Sequence, residues 1–222
     1  MIEKNTVSAK SQVRKNHYIE CFDNGGKINV LFLGNSITRH EEKPEIGWEN
    51  DWGMAASKRE NDYVHVTVRL LEEKFGKVNY CIANCGEWEL NYYKDELLQD
   101  WEEARNFRAD IVVVRLGENI YNAKDKLQEY PLAPHYEKLV EYFCSNPNAK
   151  VIVTGLFWKC PPIEDVIEKV VAEKGYAYAP LNDLSDEPEN MAIGKFWHEG
   201  VAMHPGDLGM QRIAERIVKA LK

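Results

Sequence analysis

Short apolar runs alternate with amphipathic stretches along most of the chain, and this alternation limits the folds that are open to it. Short runs that end at Gly or at a turn residue are typical of strands buried on both faces. They predict strands at Ile28–Leu33, Val78–Ala83, Ile111–Leu116, Val151–Leu156 and Tyr176–Ala179. The stretches between them carry apolar residues at the spacing of one helix face. This order predicts a parallel sheet with helices on both faces and right-handed crossovers.

The length of 222 residues fits one domain. We place that domain at residues 27–222, after a lead-in at residues 1–26 that we expect to be irregular or to hold a short helix. Two connections are longer than the scaffold requires, Thr38–Asp51 and Asn182–Pro205. Long loops in a domain of this size are usually functional or disordered, and both should lie at the same end of the sheet.

The charge balance argues against two kinds of partner. The chain has 28 basic and 36 acidic residues, a net charge of −8, whereas nucleic acids and anionic membranes favour clustered Lys and Arg. We therefore expect neither as a partner. No stretch approaches the apolar length of a transmembrane helix, and the polar N-terminus does not resemble a signal peptide. This favours a cytoplasmic location, although a secreted chain already trimmed of its signal would look the same.

The cysteines are consistent with that location. They number five, and most lie in or beside apolar runs, at Cys21, Cys81, Cys85, Cys144 and Cys160. We interpret them as small buried thiols in a reducing compartment. Cys81 and Cys85 are close in sequence, but no second ligand pair accompanies them, so we expect no metal site there.

Ser36 is the strongest candidate for a reacting group. It follows an apolar run directly, in the sequence Gly34-Asn35-Ser36, and so falls in the first turn after a buried strand. Ligands of open parallel sheets bind just beyond the carboxyl ends of the strands, where a nucleophile would be presented. The same residues are also common in ordinary turns, so a catalytic role for Ser36 requires further motifs at the same edge of the sheet.

Three further motifs should reach the same edge of the sheet. Asn84-Cys85-Gly86 follows the second predicted strand, Gly117-Glu118-Asn119 follows the third, and Met203-His204-Pro205-Gly206 precedes the last predicted helix. Acyl transfer needs such a set, because a serine hydroxyl requires a base, for which His204 is the candidate. The oxyanion of the intermediate requires donors, and the candidates are the backbone N–H groups of Ser36 and Gly86 and the side-chain amide of Asn119.

Other interpretations of these motifs are weaker. His204 before Pro205 could mark only the start of a helix. His198, Glu199 and His204 together do not have the His-Glu-x-x-His spacing of a zinc site, and no Gly-rich phosphate loop follows the first predicted strand. The chain also lacks the Gly-x-Ser-x-Gly motif of the α/β-hydrolase fold.

The four blocks together resemble the SGNH hydrolases, also called GDSL-type esterases, a family named for a Ser, a Gly, an Asn and a His in separate blocks. The resemblance spans about residues 28 to 221. It implies a three-layer α/β/α, flavodoxin-like fold with a five-stranded parallel sheet, and ester hydrolysis without cofactor or metal. It also implies Ser36 as nucleophile, Gly86 and Asn119 as oxyanion donors, and His204 as base.

The chain departs from the family pattern in the first block, in the third, and before the histidine. Asn35 stands where Asp is commoner, and Ile120 rather than Asp follows the third block. Val201 stands where the family usually has the Asp that orients the base. Two acceptors remain for His204, either Glu199 or a backbone carbonyl near Val201 in a Ser–His dyad. We favour the carbonyl, because it can approach without special side-chain geometry.

Aromatic residues beside the motifs suggest a substrate class. Of the six tryptophans, Trp48 follows the nucleophile, Trp88 follows Gly86 and Trp197 precedes His204. Flat aromatic faces suit sugar rings, although large aromatics also often pack loops onto the protein body. The candidate substrate contacts are therefore Trp48, Trp88, Glu118 and Trp197.

The sequence thus favours a serine esterase that removes an acyl group, acetyl foremost, from a carbohydrate or another small polar substrate. A lysophospholipase or thioesterase using the same site remains an alternative, as does a non-catalytic carbohydrate-binding protein that kept the fold. A fold does not define a substrate, and the sequence leaves the oligomeric state open.

Overall fold

The computed structural model describes residues 18–221 and contains a six-stranded sheet. Numbered β1 to β6 in chain order, the strands are Ile19–Phe22, Ile28–Gly34, Val78–Asn84, Ile111–Arg115, Lys150–Thr154 and Ala177–Ala179. Their spatial order is β1-β3-β2-β4-β5-β6. Strands β2 to β6 are parallel to one another, whereas β1 pairs with β3 in the antiparallel sense.

The helices alternate with the strands as the sequence pattern predicted. Numbered α1 to α7 within the described residues, they are Tyr63–Phe75, Gly86–Leu90, Glu102–Asn106, Leu132–Phe143, Pro161–Lys174, Glu199–Ala202 and Asp207–Ala220. Short 3-10 segments lie at Pro44–Ile46, Arg59–Asn61, Asp95–Trp101, Glu118–Lys126, Leu184–Asp186 and Pro188–Asn190. No helix between residues 18 and 221 has both the length and the apolar character needed to cross a membrane.

The five parallel strands confirm the predicted flavodoxin-like, three-layer α/β/α fold. Their order, β3-β2-β4-β5-β6, reverses direction at β2, since the chain moves to β3 on one side and later to β4 on the other. The loops that leave β2 and β4 therefore diverge and open a crevice at the carboxyl ends of these strands. Ser36 follows β2 and Asn119 follows β4, so the topology places both at that crevice.

The two faces of the sheet bury separate cores. Along β2, Leu31 and Leu33 point to one face while Val30 and Phe32 point to the other, as the two-residue period of a strand requires. The first face is covered by side chains from α2 to α5, and the second by α1 and α7. Because each face is a continuous apolar layer, the register of β2, and with it the position of Ser36, is strongly fixed.

The lead-in differs from its prediction in the part that the structure describes. Residues 1–17 lie outside the described residues, but Ile19–Phe22 form the edge strand β1 rather than irregular chain or a helix. This strand is short and partly exposed, and Glu20 and Cys21 interrupt its apolar pattern, so it lacks the continuous run that marked the buried strands.

The prediction that the cysteines are free thiols is wrong for two of the five. Cys21 of β1 stands directly opposite Cys81 of β3, and the two form a disulfide. Cys85, Cys144 and Cys160 are free. Pairing across strands far apart in sequence left no local signal. The cytoplasmic location remains a prediction, and disulfides are commoner in oxidising compartments.

Candidate active site

A tight turn at the end of β2 presents Ser36. The backbone N–H groups of Thr38 and Arg39 donate to the carbonyl of Asn35 at 2.9 and 3.0 Å and close the turn. Gly34 is required here, because a Cβ at this position would lie 1.7 Å from Oγ1 of Thr38. Ser36 is left half-buried at the wall of the crevice.

His204 faces Ser36 from the loop before α7. Its Nε2 lies 2.9 Å from Oγ of Ser36, and its Nδ1 lies 2.6 Å from the carbonyl oxygen of Gly200. A carbonyl only accepts, so Nδ1 carries the hydrogen and Nε2 is the acceptor for the Ser36 hydroxyl. This is the tautomer that a general base for Ser36 requires.

The surroundings of His204 keep its ring uncharged. The Trp158 ring packs edge-on against the imidazole, with 5.0 Å between the ring centroids. Burial lowers the pKa of His204 to about 4, and the positive charges of Arg115 and His40 act in the same direction. The ring is therefore neutral, and available as a base, well below the usual pKa of histidine.

We expect the His204 imidazole to titrate near pH 4 instead of near 6.5, because its burial disfavours the charged form. The measurement is the pH dependence of the ring-proton chemical shifts, with the His204 signal assigned as the one missing from a His204→Gln variant. A His204 signal that titrates near 6.5 would contradict the buried environment described here.

Glu199 does not contact the His204 ring. It is the first residue of α6 and its side chain is exposed, while Nδ1 of His204 binds the carbonyl of Gly200. Of the two acceptors that the sequence allowed, the structure has the backbone carbonyl. Ser36 and His204 thus form a hydrogen-bonded pair with the geometry of a Ser–His dyad, and no carboxylate among the described residues contacts His204 Nδ1.

We expect Glu199→Gln to lower kcat on a small activated ester by less than about tenfold, because the acceptor for Nδ1 is main chain and survives the change. The comparison is the loss of about 10⁴-fold when the aspartate of a Ser-His-Asp triad is amidated. A loss of about a thousandfold or more would identify Glu199 as a third member.

The three candidate oxyanion donors differ in their present partners. The backbone N–H of Ser36 donates to no group among the described residues. The N–H of Gly86 donates to Oδ1 of Asn84 at 2.9 Å, so it is already engaged. Nδ2 of Asn119 donates one hydrogen to Oε2 of Glu89 at 2.6 Å, which leaves its second amide hydrogen for a ligand.

A buried polar network lies behind these donors and was not predicted. Arg115, at the end of β4, is fully buried and pairs with Glu118, with 2.5 Å between Nη1 and Oε1. It also donates to Oδ1 of Asn35. Nδ2 of Asn35 in turn donates to Glu118 at 2.9 Å and to Glu89 at 3.1 Å. Glu118 was predicted to contact substrate, but its carboxylate is buried in this network instead.

Glu89 is the second carboxylate of the network. It lies in α2 and is fully buried. Burial raises the pKa of Glu89 to about 7, and the nearby charge of Glu118 contributes in the same direction. Its position in a short acidic helix resembled a solvated face in the sequence. The available signal was Arg115, a charged residue at the end of a buried strand, since a buried charge needs partners.

The crevice beside Ser36 is a cleft of about 800 Å³. Ser36, Gly86 and Asn119 line it together, so three of the four predicted blocks meet at one cavity. The loop after Ser36 forms one wall, and Asn84 and Asn122 are among the other polar side chains. Pro44 and Leu90 are its apolar side chains. A small polar ligand fits this lining better than a long alkyl chain.

The prediction that Trp48 and Trp88 contact substrate is wrong. Both side chains are completely buried. The Trp48 ring packs with Trp52 and Phe196 beneath the loop, and the Trp88 ring packs in the core on one face of the sheet. Trp197 is 74% exposed, but it is not among the residues that line the cleft. Closeness in sequence to a motif did not determine the direction of these side chains.

No protein-family model and no curated protein sequence matches the chain. Several solved structures do match it. A protein described as a GDSL-like lipase, from Bacteroides uniformis, matches with a TM-score of 0.60 at 17% identity over 88% of this chain and 96% of its own. A family 3 carbohydrate esterase from Clostridium thermocellum matches with a TM-score of 0.57 at 18% identity over 86% and 94%.

A second protein described as a GDSL-like lipase, from Parabacteroides merdae, matches with a TM-score of 0.57 at 18% identity over 88% of this chain and 95% of its own. All three likenesses cover nearly the whole of both chains at low identity. They show that this chain has the fold of the SGNH-type hydrolases, in agreement with the resemblance of its motifs.

Proposed function

We propose that the chain is a serine ester hydrolase of the SGNH type that acts through a Ser36–His204 dyad. The main support is a pair of hydrogen bonds made by His204. Its Nε2 lies 2.9 Å from Oγ of Ser36, and its Nδ1 lies 2.6 Å from the carbonyl oxygen of Gly200. A nucleophile within reach of a base, with that base oriented by a third group, is the general arrangement of nucleophilic catalysis. The fold shared with esterases and lipases supports the proposal.

In the proposed reaction, Oγ of Ser36 attacks the ester carbonyl carbon as its proton passes to Nε2 of His204. The Gly200 carbonyl holds the imidazolium that forms, through Nδ1–H. Collapse of the intermediate breaks the bond to the leaving alkoxide, which takes the proton from Nε2. Water then repeats the sequence on the acyl-enzyme and restores Ser36.

The negative oxygen of the intermediate needs donors that are already in place. The Ser36 N–H and the second hydrogen of the Asn119 amide are the two candidates that remain open to a ligand. The Gly86 N–H would join them only by leaving Asn84 Oδ1. Donors of this kind usually contribute about 10²–10³ each in kcat.

We further propose a short acyl group, acetyl foremost, on a carbohydrate or another small polar alcohol. The support is the polar lining of the cleft, in which Leu90 and Pro44 are the apolar side chains. A long acyl chain would lie against charged and amide groups and desolvate them, which is unfavourable. The tryptophans no longer contribute to this argument, because Trp48 and Trp88 are buried.

The test is a series of p-nitrophenyl esters of rising acyl length, followed by acetate release from acetylated monosaccharides. We expect kcat/KM to be highest for acetate and to fall with each lengthening. A Ser36→Ala variant supplies the blank for spontaneous hydrolysis. Rising kcat/KM with chain length would favour a lysophospholipase or thioesterase, and no hydrolysis of any ester would favour a non-catalytic binding protein.

A further inference from the structure

We propose that Glu89 is a positioning residue that holds the Asn119 amide in the orientation in which its free hydrogen can donate to the oxyanion. Glu89 would then act on the transition state through Asn119, without contacting substrate. The inference rests on the proposed esterase function and extends it to a residue with no counterpart in the four family blocks.

The main support for this proposal is the hydrogen bonding of Asn119. Its Nδ2 donates to Oε2 of Glu89 at 2.6 Å, a short charge-assisted bond. Its backbone N–H also points to Oε1 of the same carboxylate, at 3.4 Å. The terminal torsion of an asparagine is otherwise broad. With one amide hydrogen bound to Glu89, the other has a defined direction, and Asn119 lines the cleft beside Ser36.

The remaining contacts of Glu89 show that the site is built for an acceptor. The backbone N–H of Gly117 donates to Oε1 at 2.6 Å, and Nδ2 of Asn35 lies 3.1 Å from both carboxylate oxygens. Every hydrogen-bond partner of Glu89 among the described residues is thus a donor, from the turn after β2 or the segment after β4. A glutamine would place one NH₂ group among these donors and could not satisfy them all.

Glu89 and Glu118 lie in one buried network whose cation, Arg115, pairs directly with Glu118. Two carboxylates face Arg115 and Asn35, so burial and the second negative charge both oppose ionisation of Glu89. The thiol of Cys85 and the phenol of Tyr136 are further titratable groups near it; burial raises the pKa of each, the negative charge of Glu89 acts in the same direction, and both stay uncharged. Stability alone does not explain such an arrangement, because buried ionic groups can often be replaced by apolar side chains without loss of stability.

The decisive experiment is a double-mutant cycle on p-nitrophenyl acetate with Glu89→Gln, Asn119→Ala and the double variant. We expect Glu89→Gln to lower kcat by about 10- to 100-fold, since small misplacements in an active site cost up to about 10²-fold, with KM nearly unchanged. In the Asn119→Ala background the same change should have almost no further effect, because the group it positions is gone.

Glu164→Gln is the matched control. Glu164 is also buried and accepts from the backbone N–H of Cys160 at 3.1 Å, but it lies in α5 and does not line the cleft. It should leave kcat unchanged, whatever it does to the melting temperature. Two outcomes would overturn the role of Glu89. One is a kcat in the double variant that falls by the product of the two single losses, and the other is an unchanged kcat in Glu89→Gln.

A second readout needs no substitution at Glu89 and so applies even if Glu89→Gln does not fold. Protonating Glu89 removes an acceptor in the wild type, so kcat should step down to a lower plateau as the pH falls through about 7. That step should be absent in Asn119→Ala. A wild-type kcat that is flat across this interval contradicts the proposal, whereas a wild type that hydrolyses no ester rejects the proposed function itself.

Discussion

Replacing Ser36 with alanine is expected to lower kcat for ester hydrolysis by at least about 10⁴-fold, because in the proposed reaction the change removes the atom that forms the acyl-enzyme. Loss of the serine in a well-studied triad costs about 10⁶-fold, and a dyad starts from a weaker base. The Ser36 side chain makes one hydrogen bond, to His204 at 2.9 Å, so Ser36→Ala should lower the free energy of unfolding by only about 1 kcal/mol.

Steady-state kinetics on p-nitrophenyl acetate and a melting curve test both halves of this expectation. Ser145→Ala is the control. Ser145 lies between the end of α4 and the start of β5, and its hydroxyl donates to the Arg105 carbonyl at 2.6 Å. A fluorophosphonate should label the wild type once and leave Ser36→Ala unlabelled. Near wild-type turnover in Ser36→Ala, with an unchanged melting curve, would refute the mechanism.

Replacing Arg115 with methionine is expected to destabilise the protein by about 3–5 kcal/mol, because it leaves the buried carboxylate of Glu118 without its cation. Arg115 is 0% exposed and Glu118 is 5% exposed, so water cannot substitute for the lost partner. For a chain of this size the change corresponds to a fall in the melting temperature of about 6–20 °C.

Arg59→Met is the control for removal of an arginine. Arg59 binds Asp51 at 2.7 Å, but its side chain is 35% exposed, so its loss should cost about 0–1 kcal/mol. Adding Glu118→Gln to Arg115→Met should recover part of the lost stability by removing one orphaned charge. Equal melting temperatures for the Arg115 and Arg59 variants would contradict the account of the buried network.

The parallel sheet could be predicted because its strands are buried on both faces. Val30 to Leu33, for example, must be apolar at every position, and such a run is visible without any partner strand. The edge strand β1 could not, since among residues 18–221 no strand lies on one side of Ile19–Phe22 and its residues are partly exposed. The disulfide between Cys21 and Cys81 depends on that same pairing and was hidden with it.

The meeting of Ser36 with His204 could be predicted because strand ends and the last loop converge at one edge of the sheet. With Val201 in place of a carboxylate, the sequence left Glu199 and a main-chain carbonyl as acceptors for His204, and the structure has the carbonyl of Gly200. The directions of Trp48, in a loop, and of Trp88, in the short helix α2, could not be predicted, because tertiary packing decides which side chains of such segments turn inward. Glu89 was missed for the same reason.

Asn35 has a consequence for how such sequences can diverge. Its amide donates to both Glu89 and Glu118, while its oxygen accepts from Arg115. An aspartate here, the commoner residue of the family's first block, would exchange that donor for a third carboxylate beside one guanidinium. We therefore expect an aspartate at position 35 to be tolerated only when one of the two neighbouring carboxylates is lost. Lineages with aspartate at position 35 should carry an uncharged residue at position 89 or 118, and an aligned set of descendants would reveal the three sites changing together.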